Sequence, residues 1–353
     1  MVNFTPGPSQ LYFTVPDHVK KAFREGIPSI SHRSKQFEAI YLATTQGLRT
    51  LLNIPQDYHI VFTGSATEIW ERVIQNLVAD QSFHFVNGAF SKRFFEVAQQ
   101  LGKSPQKAEV PAGKGFEQPI STNSELVAIT HNETSTGVSM ALPVLHALRE
   151  LNPDGVIVVD AVSSLPFPEF DYSKIDSVFF SVQKGFGLPA GLGVWIVNEK
   201  CVQRAEQLQI KGHRIGTYHS LPSLVSFARK NQTPETPNVL GIYLLGKVVN
   251  DFLARGVSAI RSETLYKAQL LYQALERSKS VRAFVEEKQS KSKTVIVADC
   301  GDQTNNLADR LQKIGLFPGE GYGEFRSSQL RFANFPAHSK EHFELLADLI
   351  ESF

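Results

Sequence analysis

Ser181-Val182-Gln183-Lys184-Gly185-Phe186-Gly187-Leu188-Pro189-Ala190-Gly191-Leu192-Gly193 places a lysine where regular structure gives way. The apolar run Val178-Phe179-Phe180 before it reads as a buried strand, and Val194-Trp195-Ile196-Val197 after the glycines reads as another. Lys184 therefore stands at the point where a strand opens into an irregular loop. A solvated lysine amine is protonated and inert, whereas one held against a sheet end and partly desolvated sheds its proton and attacks carbonyl carbon. A lone Lys-Gly pair would be an ordinary surface lysine, so the neighbours decide.

Upstream, Val156-Ile157-Val158-Val159-Asp160-Ala161-Val162-Ser163-Ser164 carries a carboxylate to the end of a second strand through four aliphatic residues in succession. Ligands of open α/β sheets gather at the carboxyl ends of strands. Asp160 alone would serve as a helix N-cap as readily as in catalysis. Paired with Lys184 one strand later, it meets the two needs of pyridoxal phosphate: an amine for a Schiff base and an anion that keeps the pyridine nitrogen protonated.

Further motifs follow in a specific order: Phe4-Thr5-Pro6-Gly7-Pro8, Ser31-His32-Arg33-Ser34-Lys35-Gln36-Phe37, Asn132-Glu133-Thr134-Ser135-Thr136-Gly137, Gln183-Lys184 and Arg331. The set resembles the class V, fold-type I, pyridoxal-phosphate-dependent aminotransferases, and within them the branch that acts on phosphoserine. The resemblance implies an α/β fold: a large domain with a mostly parallel central sheet plus a smaller C-terminal α/β domain. The expected divisions are an N-terminal arm over residues 1–14, a cofactor-binding domain over 15–245 and a small domain over 246–353.

Composition agrees with that class. The chain has 353 residues, 42% hydrophobic and 20% charged, enough for a substantial core. A net charge of +1 offers no polybasic surface for nucleic acid and no like-charge tail. No uncharged apolar stretch approaches the roughly 20 residues that span a bilayer. Two cysteines, Cys201 and Cys300, and no leader-like N-terminus set a reducing cytoplasm as the expected location.

Along the chain, Pro6, Gly7 and Pro8 predict an extended arm to about Phe13, with little to offer a sheet interior. Helices are predicted near Asp17 to Arg24 and from Lys35 to Leu52. The strand His59-Ile60-Val61-Phe62-Thr63 leads into Gly64-Ser65-Ala66-Thr67, which opens a helix. Unpaired N–H groups at a helix start, with small residues around them, make a phosphate cradle, although Ser and Thr favour helix starts in any case. Neither the Walker spacing nor Gly-x-Gly-x-x-Gly occurs there, so a nucleotide is not indicated.

The resemblance assigns further roles. Ser65, Ala66 and Thr67 would hold the cofactor phosphate together with Gln183, and Phe90 would stack on the pyridine ring where the family usually carries tryptophan. Thr134 would bond the ring hydroxyl. His32 and Arg33 would line the substrate pocket, and Arg331, on the alternating segment Gln329-Leu330-Arg331-Phe332-Ala333-Asn334, would grip the α-carboxylate through its planar fork. The loop Asn231-Gln232-Thr233-Pro234-Glu235-Thr236-Pro237 would reach across a homodimer, with Gln232 and Thr233 completing the partner's phosphate site. From Leu240 a long helical stretch with a break near Gly256 bridges into the smaller domain.

The expected reaction is transfer of an amino group between small amino and keto acids, with Lys184 moving the α-proton and Asp160 keeping the ring electron-deficient. Phosphoserine with 2-oxoglutarate is the preferred pair, on Ser31-His32-Arg33, Leu52-Asn53-Ile54-Pro55-Gln56-Asp57-Tyr58 and Val297-Ala298-Asp299. Two departures bear on it. The phosphate loop lacks an arginine that some members carry, and a His-Arg pair shortly before the last arginine is replaced around Glu324-Phe325-Arg326, where Arg326 would supply the anion contact from a shifted position. Without that contact an alanine–glyoxylate or serine–pyruvate aminotransferase is the alternative. A cysteine desulfurase would need a labile thiol, and Cys300 closes an apolar strand instead. A non-catalytic binding protein on the same fold is the rival from another class, and the presence of both Asp160 and Lys184 speaks against it.

Overall fold

The chain opens with strand β1 (Val2–Phe4) and helices α1 (Val15–Arg24) and α2 (Lys35–Leu52) in the computed structural model, which describes residues 1–353. An alternation follows: β2 (Tyr58–Thr63), α3 (Ala66–Leu77), β3 (Ser82–Val86), α4 (Ala89–Gln100), β4 (Gln106–Glu109) and β5 (Leu126–Thr130). A short hairpin, β6 (Asn132–Glu133) with β7 (Val138–Ser139), precedes α5 (Leu142–Leu151), β8 (Val156–Asp160), β9 (Ser177–Ser181) and β10 (Gly193–Asn198). Helices α6 (Glu199–Ile210), α7 (Leu221–Ala228), α8 (Val239–Arg255) and α9 (Val257–Arg277) come next. The chain ends with β11 (Arg282–Ala283), β12 (Val295–Asp299), α10 (Thr304–Lys313), β13 (Leu316–Glu320), β14 (Gln329–Ala333) and α11 (Lys340–Glu351).

Seven strands form the larger sheet in the order β2-β10-β9-β8-β5-β3-β4. Strands β4, β3, β5, β8 and β9 are parallel, and β10 runs antiparallel to both β9 and β2. Apart from the exposed edge strand β4, the sheet is buried on both faces, which is why its inner strands read as continuous apolar runs rather than alternations. In β8, Ile157 and Val159 face one cluster, with α2 and α8, while Val156 and Val158 face the other, with α3 and α6. The register sets Thr130 beside Asp160, Asp160 beside Phe179, and Ser181 beside Gly193. One edge of the sheet thus collects the carboxyl ends of β2, β5, β8 and β9 together with the starts of α3 and α4.

A second sheet of five strands, β1-β13-β14-β12-β11, packs with α9, α10 and α11 around its own core. Its edge is a correction to the expected arm. Val2–Phe4 pairs in parallel with β13, Val2 opposite Leu316, and Phe4 is fully buried. The prolines begin only at Pro6, so they end this strand without preventing it. Strand β13 had no sequence signal because Pro318 and Gly319 interrupt it. The break between α8 and α9 falls at Gly256, whose φ of 90° favours glycine. The expected boundary at 245 lies inside α8, one unbroken helix packed along α2.

Candidate active site

Beyond β9 the backbone folds into a tight loop, with the Gly187 N–H donating to the Lys184 carbonyl at 2.9 Å. Gly185 is needed there, since a Cβ would sit 1.9 Å from the Leu165 carbonyl oxygen. The N-terminal segment lies over this loop: the Ser9 N–H donates to the Gln183 carbonyl and the Tyr12 N–H to the Gly187 carbonyl. Gly7 faces the lysine chain itself, where a Cβ would come within 2.7 Å of Lys184 Cε. Lys184 is 8% exposed as a result.

The Lys184 amine donates to Thr134 Oγ1 at 3.2 Å and lies 5.2 Å from the centre of the Phe90 ring. Burial pushes its pKa down to about 8, against the opposing pull of the Asp160 carboxylate. The Thr134 hydroxyl in turn donates to Ser163 Oγ at 2.8 Å, and Ser163 donates to the Asn132 carbonyl. The amine is thus oriented by a buried relay of hydroxyls.

Asp160 is buried and doubly held. Its Oδ2 accepts from the Trp70 indole N–H at 2.8 Å and its Oδ1 from the Val162 N–H at 3.0 Å. Burial raises the carboxyl to about 6, and the two hydrogen bonds and nearby Lys184 oppose that rise. A carboxylate kept at this cost in a closed space suits pairing with a cationic N–H.

The turn after β2 is shaped for close approach. Ser65 caps α3, its Oγ accepting from the Glu68 N–H at 3.1 Å, and the Ala66 N–H donates to Ser181 Oγ at 2.8 Å. Gly193 on β10 lets the turn settle against the sheet, since a Cβ would lie 2.6 Å from the Ser65 carbonyl carbon.

These parts enclose a cavity of about 200 Å³ lined by Ala66, Thr67, Trp70, Phe90, Asp160 and Lys184, with Gly7, Thr130, Thr134 and Gln183 also on its wall. Two polar atoms on its wall are buried without a partner, Gln183 Oε1 and Thr130 Oγ1. Buried polar atoms are rarely left unpaired in a folded protein, so the cavity is built for a polar ligand. A helix start with small residues at one end, a carboxylate at the other, an amine between them and an aromatic face beside it fit pyridoxal phosphate. Among the larger open grooves, two are about 640 Å³ each. One, between Ser124 and Arg204, has Arg204 paired with Glu125 and the Lys200 amine donating to the Gly155 carbonyl. The other, bounded by Gly88, Lys92, Ser135 and Tyr322, adjoins the cavity.

Arg331 stands at that junction. Its Nε donates to the Glu320 carbonyl at 2.7 Å and its Nη1 to the Thr134 carbonyl at 3.2 Å, tying β14 to the loop that carries Thr134. Its guanidinium lies 5.4 Å from the Tyr322 ring, which packs 5.1 Å from Phe90. The remaining expected residues lie elsewhere in this chain. Arg326 is exposed and pairs with Glu320 at 2.7 Å. Arg33 is outside the cavity, donating to Gln232 Oε1 at 3.1 Å and to the Thr233 and Pro234 carbonyls at 2.5 and 3.2 Å. His32 is half-buried beside it, and Thr233 is buried with its hydroxyl on the Glu235 carbonyl. Cys300 is buried in the second core, and burial pushes its thiol up to about 12.

Sequence reading passed over Trp70, Thr130, Ser163 and Tyr322, because nothing in their local spacing separates them from core or turn residues. It also passed over Glu133, fully buried, whose carboxylate accepts from the Phe90 and Ser91 N–H groups at 3.3 and 2.8 Å and so fixes the start of α4. No helix is long and apolar enough to cross a membrane.

Comparison with known proteins agrees with this geometry. The family model described as aminotransferase class-V matches residues 1–315. A phosphoserine aminotransferase of Rhodococcus opacus is 29% identical over 327 residues, covering 91% of this chain and 87% of that protein. The solved structure of a phosphoserine aminotransferase from Cytophaga hutchinsonii superposes with a TM-score of 0.97 at 48% identity, covering 99% of this chain and 98% of the other. An alanine–glyoxylate aminotransferase from Nostoc shares the fold at 20% identity, with a TM-score of 0.79 over 100% of this chain and 95% of that one.

Proposed function

The chain belongs to the class-V aminotransferases, and from that premise we propose that it is a pyridoxal-phosphate-dependent transaminase moving the amino group of phosphoserine to 2-oxoglutarate. The observation that carries the reading is the buried Lys184 amine on Thr134, in one cavity with the doubly held carboxylate of Asp160. The choice of phosphoserine is supported by the 48% identity to the Cytophaga enzyme over nearly the whole chain.

Bound pyridoxal phosphate supplies an aldehyde carbon that exchanges amino groups and a ring that accepts electrons. With the cofactor bound, Lys184 Nζ would hold its aldehyde end and serve as the base that moves the substrate α-proton, oriented by Thr134 Oγ1 and with its pKa lowered by burial. Asp160 would hold the proton on the cofactor's ring nitrogen, and Trp70 and Val162 keep its carboxylate from turning away. Phe90 and the Gly7 segment keep water from the amine. The turn Ser65-Ala66-Thr67 and Gln183 would take the phosphate. Arg331 spends two N–H groups on backbone carbonyls and keeps the rest of its fork for the donor's α-carboxylate.

Arg33, with His32 next to it, is bonded to the same loop as Gln232 and Thr233, so these four residues act on one site together. We place that site in a second copy of the chain, because none of the four lines the cavity beside Lys184 here. The enzyme is accordingly a homodimer, and Arg33 and His32 would bind the donor's phosphate across the interface. Arg326, exposed and free to release Glu320, would add to that contact from the 322–326 turn. Its buried, unbridged cysteines suit a cytoplasmic protein. The same reading divides the chain at Gly256, between α8 and α9, with Val2–Phe4 belonging to the smaller unit.

The test is the visible spectrum of the protein loaded with pyridoxal phosphate, followed on separate addition of phosphoserine, serine and alanine. Loss of the visible band with phosphoserine, restored by 2-oxoglutarate, is expected. Loss with alanine or serine and none with phosphoserine would reassign the donor.

A further inference from the structure

Glu68 occupies the first turn of α3, directly behind the Gly64-Ser65-Ala66-Thr67 turn. A carboxylate there helps the helix but opposes an incoming phosphate dianion. It cannot swing away, because its Oε2 accepts the Gly64 N–H at 2.9 Å. Its charge is met from two sides: Arg72 Nε lies 3.8 Å from Oε1, and His219 Nδ1 makes a short hydrogen bond to the same oxygen.

His219 is buried, only 7% exposed, and lines no cavity wall near Lys184. Its other nitrogen, Nε2, lies 3.2 Å from Glu235 Oε2, an ion contact off the hydrogen-bond direction. An imidazole that meets a carboxylate with each nitrogen carries a proton on both and is a cation. Glu235 belongs to the loop of Gln232 and Thr233, and its carbonyl accepts the Thr233 hydroxyl at 2.7 Å. One ring thus joins the turn at the start of α3 to that loop.

We propose that His219 is a positioning residue for the cofactor's phosphate group, its imidazolium cancelling the Glu68 charge behind the cradle and fastening the cradle turn to the 231–237 loop. This rests on the reading of that turn as the phosphate site. The charged groups facing the ring are Glu68 and Arg72 from α3 and Glu235 from the loop, with His32 farther out beside Glu235. Arg72 is shared with Glu71, whose Oε1 lies 2.9 Å from its Nη2, so the His219 proton is the charge that offsets Glu68 and Glu235; without it the negative charge behind the cradle is left uncompensated. Burial works against the charge, and the contacts with Glu235 and Glu68 outweigh it, raising His219 to about 9. The cation is therefore intact at neutral pH and lost as pH rises through about 9.

The experiment compares two probes that differ only in the phosphate. Cofactor is removed from the full-length protein, and binding of pyridoxal 5'-phosphate and of unphosphorylated pyridoxal is titrated from pH 7 to 10. In the wild-type protein the preference for the phosphorylated probe should fall above pH 9. His219→Gln should lower affinity for pyridoxal phosphate about tenfold at pH 7 and leave pyridoxal within about twofold, the scale of one charge at a helix start. Adding Glu68→Gln, which keeps an acceptor for Gly64, should restore the lost preference. Glu235→Gln, at the more exposed end of the cluster, should move the high-pH fall to lower pH and serves if His219→Gln does not fold. Equal loss for both probes, or no loss for either, would overturn the proposal. A wild-type protein with no preference for the phosphorylated probe would instead remove the cradle reading on which it stands.

Discussion

Trp70 and Asp160 are joined by a buried hydrogen bond of 2.8 Å that links helix α3 to the end of the large sheet's central strand. Trp70 lies on α3 and Asp160 ends β8, 90 residues later. The indole fixes one carboxylate oxygen while the Val162 N–H fixes the other, so the anion has a single orientation. Trp70→Phe keeps most of the packing against Phe94 and removes the donor. Losing a hydrogen bond to a charged acceptor costs about 1.5–3 kcal/mol, so kcat should fall roughly ten- to a hundredfold. Rapid-mixing measurement of the first half-reaction checks this, and an unchanged rate would remove the orienting role.

Lys184 carries a cost in the cofactor-free protein. Its folded pKa of about 8 lies below the ordinary lysine value, so the group favours folding fully only above the unfolded pKa, and that favour is lost as pH falls through about 8. At pH 7 the buried ammonium destabilises by on the order of 3 kcal/mol. Lys184→Met should therefore raise the melting temperature of the cofactor-free protein at pH 7, with the gain shrinking toward pH 10, while abolishing transamination. Melting curves across that range test it; a lower melting temperature at pH 7 contradicts it.

Asp160 shifts in the other direction. Because its folded pKa of about 6 is above the ordinary carboxyl value, its contribution to stability is complete at low pH and lost as pH rises toward 6. Function needs the ionised form. Binding of pyridoxal phosphate to the cofactor-free protein should weaken as pH falls through about 6, and Asp160→Asn should be inactive at every pH. A pH series of cofactor titrations and of single-turnover rates reads the two in turn.

Arg331 holds two backbone carbonyls and, on the functional reading, the donor's α-carboxylate. Arg331→Lys loses the planar fork, and kcat/KM for phosphoserine should fall about a hundredfold, the equivalent of about 3 kcal/mol for a charged, bidentate contact. The spectrum of the bound cofactor should persist. Parallel loss of cofactor would mean that the arginine acts on the fold of the 132–137 loop instead.

Gly193 tests the cradle from behind. Its replacement by alanine brings a Cβ to 2.6 Å from the Ser65 backbone, which cannot yield without moving the turn. Affinity for pyridoxal phosphate should drop at least tenfold, about 1.4 kcal/mol, a shift that overpacking of this kind readily supplies. Equilibrium dialysis provides the measurement.

Much of the architecture was legible from local pattern. Apolar runs such as Val156-Ile157-Val158-Val159 identify strands buried on both faces, and a polar residue at the end of such a run falls at the ligand-bearing edge of a parallel sheet. That logic brought Asp160, Lys184 and the Gly64–Thr67 turn to one place, because each position follows from the strand it terminates. Strand period and chain order are local properties, and the sequence by itself determined them. The rest depended on contacts between residues far apart in the chain. Trp70 reaching Asp160, Gly7 pressed on Lys184, Val2–Phe4 completing the edge of the second sheet, Arg33 bound to the 232–234 loop, and His219 set between Glu68 and Glu235 leave no spacing signal, because each pair meets only when separate elements pack. Only the tertiary structure decided these, through burial: it strips water from a few polar groups and obliges each to find its partner wherever the fold provides one.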